Sequence, residues 1–249
     1  MTRLVRTELL KIRTARLTYG LLGVALVMTV LSVAGAILTA GLPGTFATDS
    51  PAFVRSVAAA AWSGGTFVLI LGILSITGEF RHGTVTSTFL VTPRRGRVVV
   101  AKMVAGALVG LLFSVVACAL TVAVALPWLG ARGIDVRVGP DVVPVLLGVV
   151  ATTTIYGMVG VGLGALVRNQ VAAVVTALVW TSVLEGVAVM LLAEVGRWLP
   201  GGAVQALFGT GTPSGGTLLP GWGGALLLVA YGLAFALAGS RFVLRRDVT

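Results

Sequence analysis

The chain has 249 residues, of which 57% are hydrophobic and 10% are charged, and its mean hydropathy is +1.05. A soluble domain needs about a quarter of its residues charged, so this composition excludes a soluble enzyme, a disordered tail and a fibrous repeat. The formal charge of +10 is modest, and its distribution along the chain follows membrane topology instead of a nucleic-acid surface. We therefore predict an all-α integral membrane protein.

A basic head over residues 1–16 comes first along the chain. At helical spacing, its apolar side carries Val5, Leu9 and Ile12. The basic side chains that lie largely elsewhere are Arg6, Lys11 and Arg13. We predict an amphipathic interface helix on the inner leaflet, with the lysine and arginine stems extending toward the lipid headgroups. The simpler alternative is a basic topology signal with no further role.

Six apolar segments follow, each long enough to cross a membrane. A helix rises about 1.5 Å per residue, so about 20 apolar residues cover about 30 Å of hydrocarbon. Each segment is predicted to be a helix, because lipid cannot satisfy an open backbone. The predicted spans are Leu17 to Leu42, Ala52 to Thr77, Val98 to Leu126, Val142 to Val167, Val171 to Ala193 and Trp222 to Leu244. Residues 17–249 are thus predicted to form one six-span domain.

The basic residues orient these spans. With the amino terminus in the cytoplasm, 14 of the 18 basic residues fall inside, and the other four fall outside. The four are Arg55, Arg132, Arg137 and Arg197. Cytoplasmic flanks of membrane spans are enriched in lysine and arginine, so we expect both termini to be cytoplasmic. The abundance of Ala, Gly, Val and Arg suggests a bacterial cell membrane.

Glycines recur at close spacing in two of the spans. Gly106 and Gly110 form a Gly-x-x-x-Gly pair, and Gly160, Gly162 and Gly164 lie together in the fourth predicted span. No strand precedes the second set, so a dinucleotide-binding loop is a weak interpretation. We interpret both sets as surfaces where helix backbones approach closely.

The loop over residues 78–97 has the most specific sequence. Glu79 ends a span with its charge at the water boundary, and Arg81 is expected to pair with it. Gly83 permits a sharp reversal, and Thr84 can cap a new short helix. We call this loop the elbow.

The short helix in the elbow is predicted to present apolar side chains to a partner. Phe89 and Leu90 supply the contacts, and Pro93 stops the helix. Arg94 and Arg97 form the basic end of the elbow. A short amphipathic helix that projects from a membrane bundle is a docking element for a soluble partner.

Motifs for catalysis are missing from the sequence. A P-loop needs a lysine directly after glycine, whereas the only two lysines, Lys11 and Lys102, follow leucine and alanine. One histidine, His82, and one cysteine, Cys118, cannot build a histidine-rich metal site or an intrachain disulfide. We expect no catalytic residue, no metal and no cofactor on this chain.

Two segments resemble type-2 ATP-binding cassette exporter permeases, whose elbow reads Glu-x-Arg-x-Gly-Thr, then Pro-x-Arg, then Ala-Lys. The matching positions are Glu79 to Thr84, Pro93 to Arg95 and Ala101 to Lys102. Trp180 to Glu185 followed by Arg197 to Gly201 is similar to the family's fifth span and the external segment after it. The six spans and the orientation also agree with that family.

The resemblance implies a permease that works with a separately encoded ATPase. Such permeases usually act as two copies or paralogues with two ATPases, and MgATP is bound by the ATPase. The resemblance also implies that Glu79 to Arg97 holds a coupling helix for a groove on the ATPase, beside the interface helix of the head. One departure is the β-branched run Val85, Thr86 and Thr88, where many relatives have leucine; it favours a shorter coupling helix.

The largest external connection, residues 194–221, alternates proline and glycine with an apolar piece, Ala203 to Phe208. This pattern predicts a short helix or a re-entrant element at the outer surface. Inside the fifth span, Glu185 is expected in the outer half of the bilayer. A charged side chain costs at least about 2.5 kcal/mol near the bilayer centre, so a carboxylate within a span is a functional candidate. In a functional role, Glu185 would contact a cationic substrate or gate the exit. In a structural role, it would tie the span to the external element.

The expected walls of a transport pathway are apolar and include Phe67 and Phe113. They suggest export of a hydrophobic or amphipathic cargo, such as a drug, lipid, peptide or natural product. Two other functions remain open from the residues. A proton-driven secondary transporter would use Glu185 as its relay, and a membrane scaffold or sensor would transport nothing.

Overall fold

Helices account for all the regular structure in the part of the chain that the computed structural model describes. That part comprises residues 1–42, 45–81, 83–84, 95–134, 139–167, 169–209 and 218–245. For residues 95, 189, 190, 193 and 240–245 it describes the backbone alone. The predicted all-α class is confirmed.

The helices follow one another with short connections. The first group is α1 (Thr2–Thr14), α2 (Arg16–Leu38), α3 (Pro51–Ala59), a 3₁₀ turn (Ala60–Gly64), α4 (Gly65–Arg81) and α5 (Arg95–Ala131). The second group is α6 (Val143–Val167), α7 (Gln170–Val179), a π-helical turn (Trp180–Leu184), α8 (Glu185–Leu191), α9 (Ala193–Gly196), α10 (Pro200–Phe208) and α11 (Gly221–Arg245).

Six stretches of these helices are long and apolar enough to cross a membrane. In chain order, spans 1 to 6 are Arg16–Leu38, Pro51–Arg81, Gly96–Ala131, Val143–Val167, Gln170–Ala188 and Gly221–Gly239. The predicted number of spans is therefore confirmed, and the protein is a multi-pass membrane protein.

Local sequence signals set several helix ends. Ser50 caps α3 by accepting a 3.2 Å hydrogen bond from the Phe53 amide, and Asn169 caps α7 through the Ala172 amide at 3.0 Å. Ala15 is extended and separates α1 from span 1. The sequence predicted that span 3 ends before Pro127, but α5 continues through it. Proline removes one backbone donor, a loss that neighbouring groups compensate within membranes.

Span 4 is the centre of the bundle, and glycines bring its neighbours close. A Cβ on Gly72 of span 2 or Gly106 of span 3 would lie 2.6 Å or 2.7 Å from the Gly157 carbonyl oxygen. A Cβ on Gly162 would lie 2.9 Å from the Phe235 Cβ of span 6. The other predicted glycines approach equally closely: Gly110 to Thr153, Gly160 to Leu69 and Gly164 to Ile73. The predicted close packing is confirmed.

At the opposite end from α1, the helix α10 contains the predicted external element, Ala203 to Phe208. It packs against spans 4 and 6. The Phe208 ring stacks edge-on to Trp62 at a 6.2 Å centroid distance, and Trp62 in turn meets Tyr156 at 4.6 Å. Gly209, with a φ of +60°, ends α10 in the left-handed conformation that favours glycine. This element is therefore part of the packed core.

The spans differ in how much of their surface the bundle covers. In their most apolar stretches, spans 2 and 4 bury more than half of their residues, whereas spans 1, 5 and 6 bury 22%, 17% and 17%. Lipids or another protein must cover the apolar faces of these three spans, because water would not tolerate them.

Candidate functional site

Four charged side chains meet where α1 packs against the ends of spans 2 and 3. The Lys102 Nζ lies 2.5 Å from Glu8 Oε2 and 2.8 Å from Glu79 Oε1. The Lys11 Nζ lies 2.9 Å from Glu8 Oε1 and 2.7 Å from the same Glu79 oxygen. Two carboxylates and two ammonium groups balance to zero net charge. We call these four residues the charge cluster.

Lys102 is the buried centre of the charge cluster. Its side chain is 1% exposed, and its third hydrogen bond goes to the Ser75 carbonyl oxygen at 3.0 Å. All three ammonium hydrogens therefore have acceptors. A buried charge is costly unless it is paired and fully hydrogen-bonded, and the contacts of Lys102 meet that requirement.

Glu8 attaches α1 to the bundle. It is the buried residue of α1, and its two oxygens contact Lys102 of span 3 and Lys11 one turn later. Removing Glu8 would leave Lys102 with one carboxylate partner among the described residues. The charge cluster thus joins the head and both spans that flank the elbow into one unit.

The electrostatics of Lys11 agree with this arrangement. Burial by itself lowers its pKa, but the hydrogen bonds and negative charges of Glu79 and Glu8 outweigh burial, so the pKa of Lys11 is raised. Lys11 is consequently a protonated cation across the physiological range.

The predicted pairing of Glu79 with Arg81 is wrong. Glu79 bonds to Lys11 and Lys102, and within the described chain no ion pair joins it to Arg81, which is exposed. Residues two apart on a helix point to different sides. Since α4 continues through Arg81, Glu79 contacts the two lysines while the exposed Arg81 side chain does not.

The rest of the elbow is described only in part. Gly83 has a φ of +67°, which confirms the predicted reversal. Thr84 and Arg97 are exposed, and Thr84 lies directly after this reversal. His82, Phe89, Leu90, Pro93 and Arg94 lie outside the described residues, so the coupling helix and its contacts stay predictions.

The head forms the predicted helix as α1. Arg6 and Arg13 are exposed and Leu9 is half-buried, which agrees with an amphipathic arrangement. The sequence argument did not anticipate that an acid, Glu8, occupies the side that faces the bundle.

At the opposite end of the bundle, Glu185 joins span 5 to α10. It is buried and follows directly after the π-helical turn. One carboxylate oxygen accepts a short hydrogen bond from the Gly201 amide in the first turn of α10. A Cβ at position 201 would lie 2.8 Å from the Glu185 Cδ, so glycine is needed for this approach. This geometry agrees with the alternative in which Glu185 ties span 5 to the external element. A contact of Glu185 with a substrate stays a prediction.

The two phenylalanines predicted to line a pathway lie among spans 1, 2 and 3. Phe113 is 5% exposed and packs with Ala25 and Val68, with the half-buried Phe67 against the same cluster. A Cβ on Gly64 would lie 2.6 Å from the Phe113 ring. In this conformation the Phe113 ring fills the space between spans 1, 2 and 3. Its role in a transport pathway stays a prediction.

Sequence reasoning missed Glu8 and Lys102 as partners. Glu8 was not singled out within the basic head, and Lys102 was counted only as a cytoplasmic charge and as part of the Ala-Lys match. A signal was available, because Glu8 is the single acid of the head and the only two lysines of the chain both belong to the charge cluster. Charged residues this rare in an apolar chain should be expected to pair.

A comparison with protein families finds a match. The family described as ABC-2 family transporter protein matches residues 4–184, which include most of α1, the elbow and all four members of the charge cluster. A search of curated proteins finds no match. The matched region ends one residue before Glu185, so the match covers more than half of the chain but not α10 or span 6.

Proposed function

Because this chain belongs to the ABC-2 family of transporter proteins, we propose that it is the permease subunit of an ATP-driven exporter. Members of this family are transmembrane components that work with an ABC ATPase and are generally not catalytic themselves. In the proposal, MgATP binds to that separate ATPase. This chain supplies the membrane pathway, and its cargo is hydrophobic or amphipathic.

The observation that carries the proposal is the charge cluster. It connects α1 to the ends of spans 2 and 3 at contacts of 2.5 to 2.9 Å. A force applied at the elbow would therefore reach both spans and the head together. ATP binding shifts the permease between inward-facing and outward-facing packings only through a difference in affinity for the two states. A rigid connection at the elbow would couple the state of the ATPase to the packing of spans 2 and 3.

The proposed orientation places the elbow and both termini in the cytoplasm of a bacterial cell. The distribution of basic residues supports it. Arg55, which the sequence places on the outer side, forms a 2.7 Å ion pair with Asp141. Asp141 precedes span 4, and in this orientation the connection before span 4 also lies outside. The exposed apolar faces of spans 1, 5 and 6 leave room for membrane lipids and a second permease, either a copy or a paralogue.

Site-directed crosslinking tests whether the elbow docks on an ATPase. The sole native cysteine is first replaced (Cys118→Ala), and Thr84→Cys then places a thiol directly after the Gly83 reversal. Thr39→Cys is the matched control, because Thr39 is also exposed but lies at the other end of span 1. Each variant is co-expressed with ABC ATPases encoded beside it, and cells are treated with a short bifunctional crosslinker.

We expect the ATPase to crosslink to the cysteine at position 84 and not to the one at position 39. Crosslinking at position 39 alone would reverse the orientation. Failure to crosslink at either position, with both variants present in the membrane, would contradict docking at the elbow. Transport abolished by collapse of the proton gradient, with ATP still present, would instead favour a secondary transporter.

A further inference from the structure

A cavity of about 540 Å³ lies beside the charge cluster, between α1, the start of span 1, the end of span 2 and the start of span 5. Its volume is within the roughly 300 to 1,000 Å³ typical of small-molecule sites. Nothing in the proposed coupling of ATP to transport requires this cavity.

One wall of the cavity is apolar. Ile12 of α1, Leu17 of span 1, and Leu71 and Leu74 of span 2 contribute to it. Leu17 is 57% exposed, so the apolar wall continues onto the outer surface of span 1. A hydrocarbon chain could therefore pass from the membrane onto this wall without crossing a polar surface.

Another part of the lining is polar and carries a positive charge. Glu8, Lys11, Glu79 and Arg81 all line it. The two carboxylates are neutralised within the charge cluster by Lys11 and the buried Lys102. Among the described lining residues, the guanidinium of Arg81 is thus the unbalanced charge, and Gln170 also contributes an amide to the lining.

We propose that this cavity binds the phosphate headgroup of an anionic phospholipid. Arg81 provides the planar donor pair that suits a phosphate. The third ammonium hydrogen of Lys11 remains for a second contact, because two are used by Glu8 and Glu79. The upper part of an acyl chain lies on the wall of Ile12 and Leu74. Basic pockets between membrane helices on the cytoplasmic side are suited to anionic headgroups.

The position of α1 favours a membrane lipid over a soluble phosphate compound. An amphipathic interface helix lies at the depth of the headgroups, and the cavity opens under that helix. This placement in the inner leaflet rests on the proposed orientation. The binding itself requires neither an ATPase nor transport, so a failed binding test would leave the proposed function standing.

Native mass spectrometry of the purified full-length chain tests the proposal. The protein in mild detergent receives equal amounts of phosphatidylglycerol and phosphatidylcholine with the same acyl chains. Arg81→Gln removes the unbalanced charge. Arg3→Gln is the matched control, because Arg3 is an exposed cation on α1 that does not line the cavity. Thermal unfolding of each variant establishes that it is folded.

We expect the wild-type chain and Arg3→Gln to retain phosphatidylglycerol in preference to phosphatidylcholine. Arg81→Gln should weaken phosphatidylglycerol binding about tenfold or more, as expected for a lost charge-assisted hydrogen bond. Equal retention of both lipids, or unchanged binding by Arg81→Gln, would overturn the proposal. Displacement of the lipid by glycerol phosphate at equal concentration would also overturn it, since the apolar wall would then contribute nothing.

Discussion

Removal of the Lys102 charge is the most informative perturbation of the elbow. In Lys102→Met the side chain keeps its length and apolar stem, but the carboxylates of Glu8 and Glu79 lose their buried partner. Those two side chains are only 8% and 11% exposed, so water replaces little of the lost interaction. Removing one partner of a buried ion pair costs about 3 to 5 kcal/mol, and we expect a loss of that size.

A matched control comes from the other end of the bundle. The Arg55 and Asp141 side chains form an ion pair that is 40% and 45% exposed. Exposed pairs contribute about 0.2 to 1 kcal/mol, so Arg55→Gln should change stability little. Each variant removes one cation, but Lys102 is buried between two carboxylates and Arg55 is exposed beside one, so the contrast measures what the buried charge cluster adds.

Restoring charge balance provides a second control. Glu8→Gln combined with Lys102→Gln removes one charge of each sign and leaves Glu79 paired with Lys11. The double variant should therefore lose less unfolding free energy than Glu8→Gln and Lys102→Gln lose in sum, by about 0.5 to 3 kcal/mol. Simple additivity would mean that Glu8 and Lys102 do not interact.

Two measurements follow these variants. Thermal unfolding in detergent ranks their stability, and hydrogen exchange over residues 2–14 reports whether α1 stays docked. We expect Lys102→Met to unfold earlier than Arg55→Gln and to increase exchange in α1. A Lys102→Met protein with wild-type unfolding and wild-type exchange in α1 would refute the reasoning.

Three further predictions concern other parts of the chain. Glu185→Gln keeps an oxygen acceptor for the Gly201 amide, so stability and export of a cationic dye should stay near wild type in vesicles, whereas Glu185→Leu should lose about 1 to 3 kcal/mol on unfolding; a transport loss in a stable Glu185→Gln would assign the carboxylate to substrate or gating. Gly106→Leu should disrupt packing of spans 3 and 4 and lower the unfolding temperature, while Gly20→Leu, with open space around it, should not; equal effects would contradict the close packing. Because the pKa of Lys11 is raised above its ordinary value of 10.5, the contribution of Lys11 to docking of α1 should be constant from pH 7 to 10.5 and be lost at higher pH as Lys11 deprotonates; protection factors in α1, corrected for the intrinsic pH dependence of amide exchange, that fall between pH 7 and 9 would contradict this.

Much of the fold could be predicted because the membrane imposes strong local rules. Twenty apolar residues in sequence must form a helix in lipid, and this rule located all six spans. The proline and glycine residues on both sides of Ala203 to Phe208 leave an apolar piece too short to cross the membrane, and this predicted the short helix that the structure shows as α10. Helix ends were less predictable: the third span was predicted to end at Leu126, yet α5 continues through Pro127 to Ala131.

The contacts of the candidate site were largely hidden from the sequence because they join distant residues. Lys102 bonds to Glu8 across 94 positions, and no local pattern specifies that distance. Local reasoning paired Glu79 with its neighbour Arg81, whereas helix geometry turns the two side chains apart. A tie between Glu185 and the external element was one of the alternatives that the sequence left open, but the sequence did not specify the partner, which is the Gly201 amide 16 positions away.

The central claim is that a separate ATPase moves this permease through its elbow. The most direct test is hydrogen exchange on the complex of the chain with its ATPase, compared without nucleotide and after trapping with MgATP and vanadate. We predict that trapping changes exchange at residues 2–14 and around Gly83, while Arg55 and its surroundings at the outer end respond less. Identical exchange at the elbow in both states of an intact complex would contradict the claim.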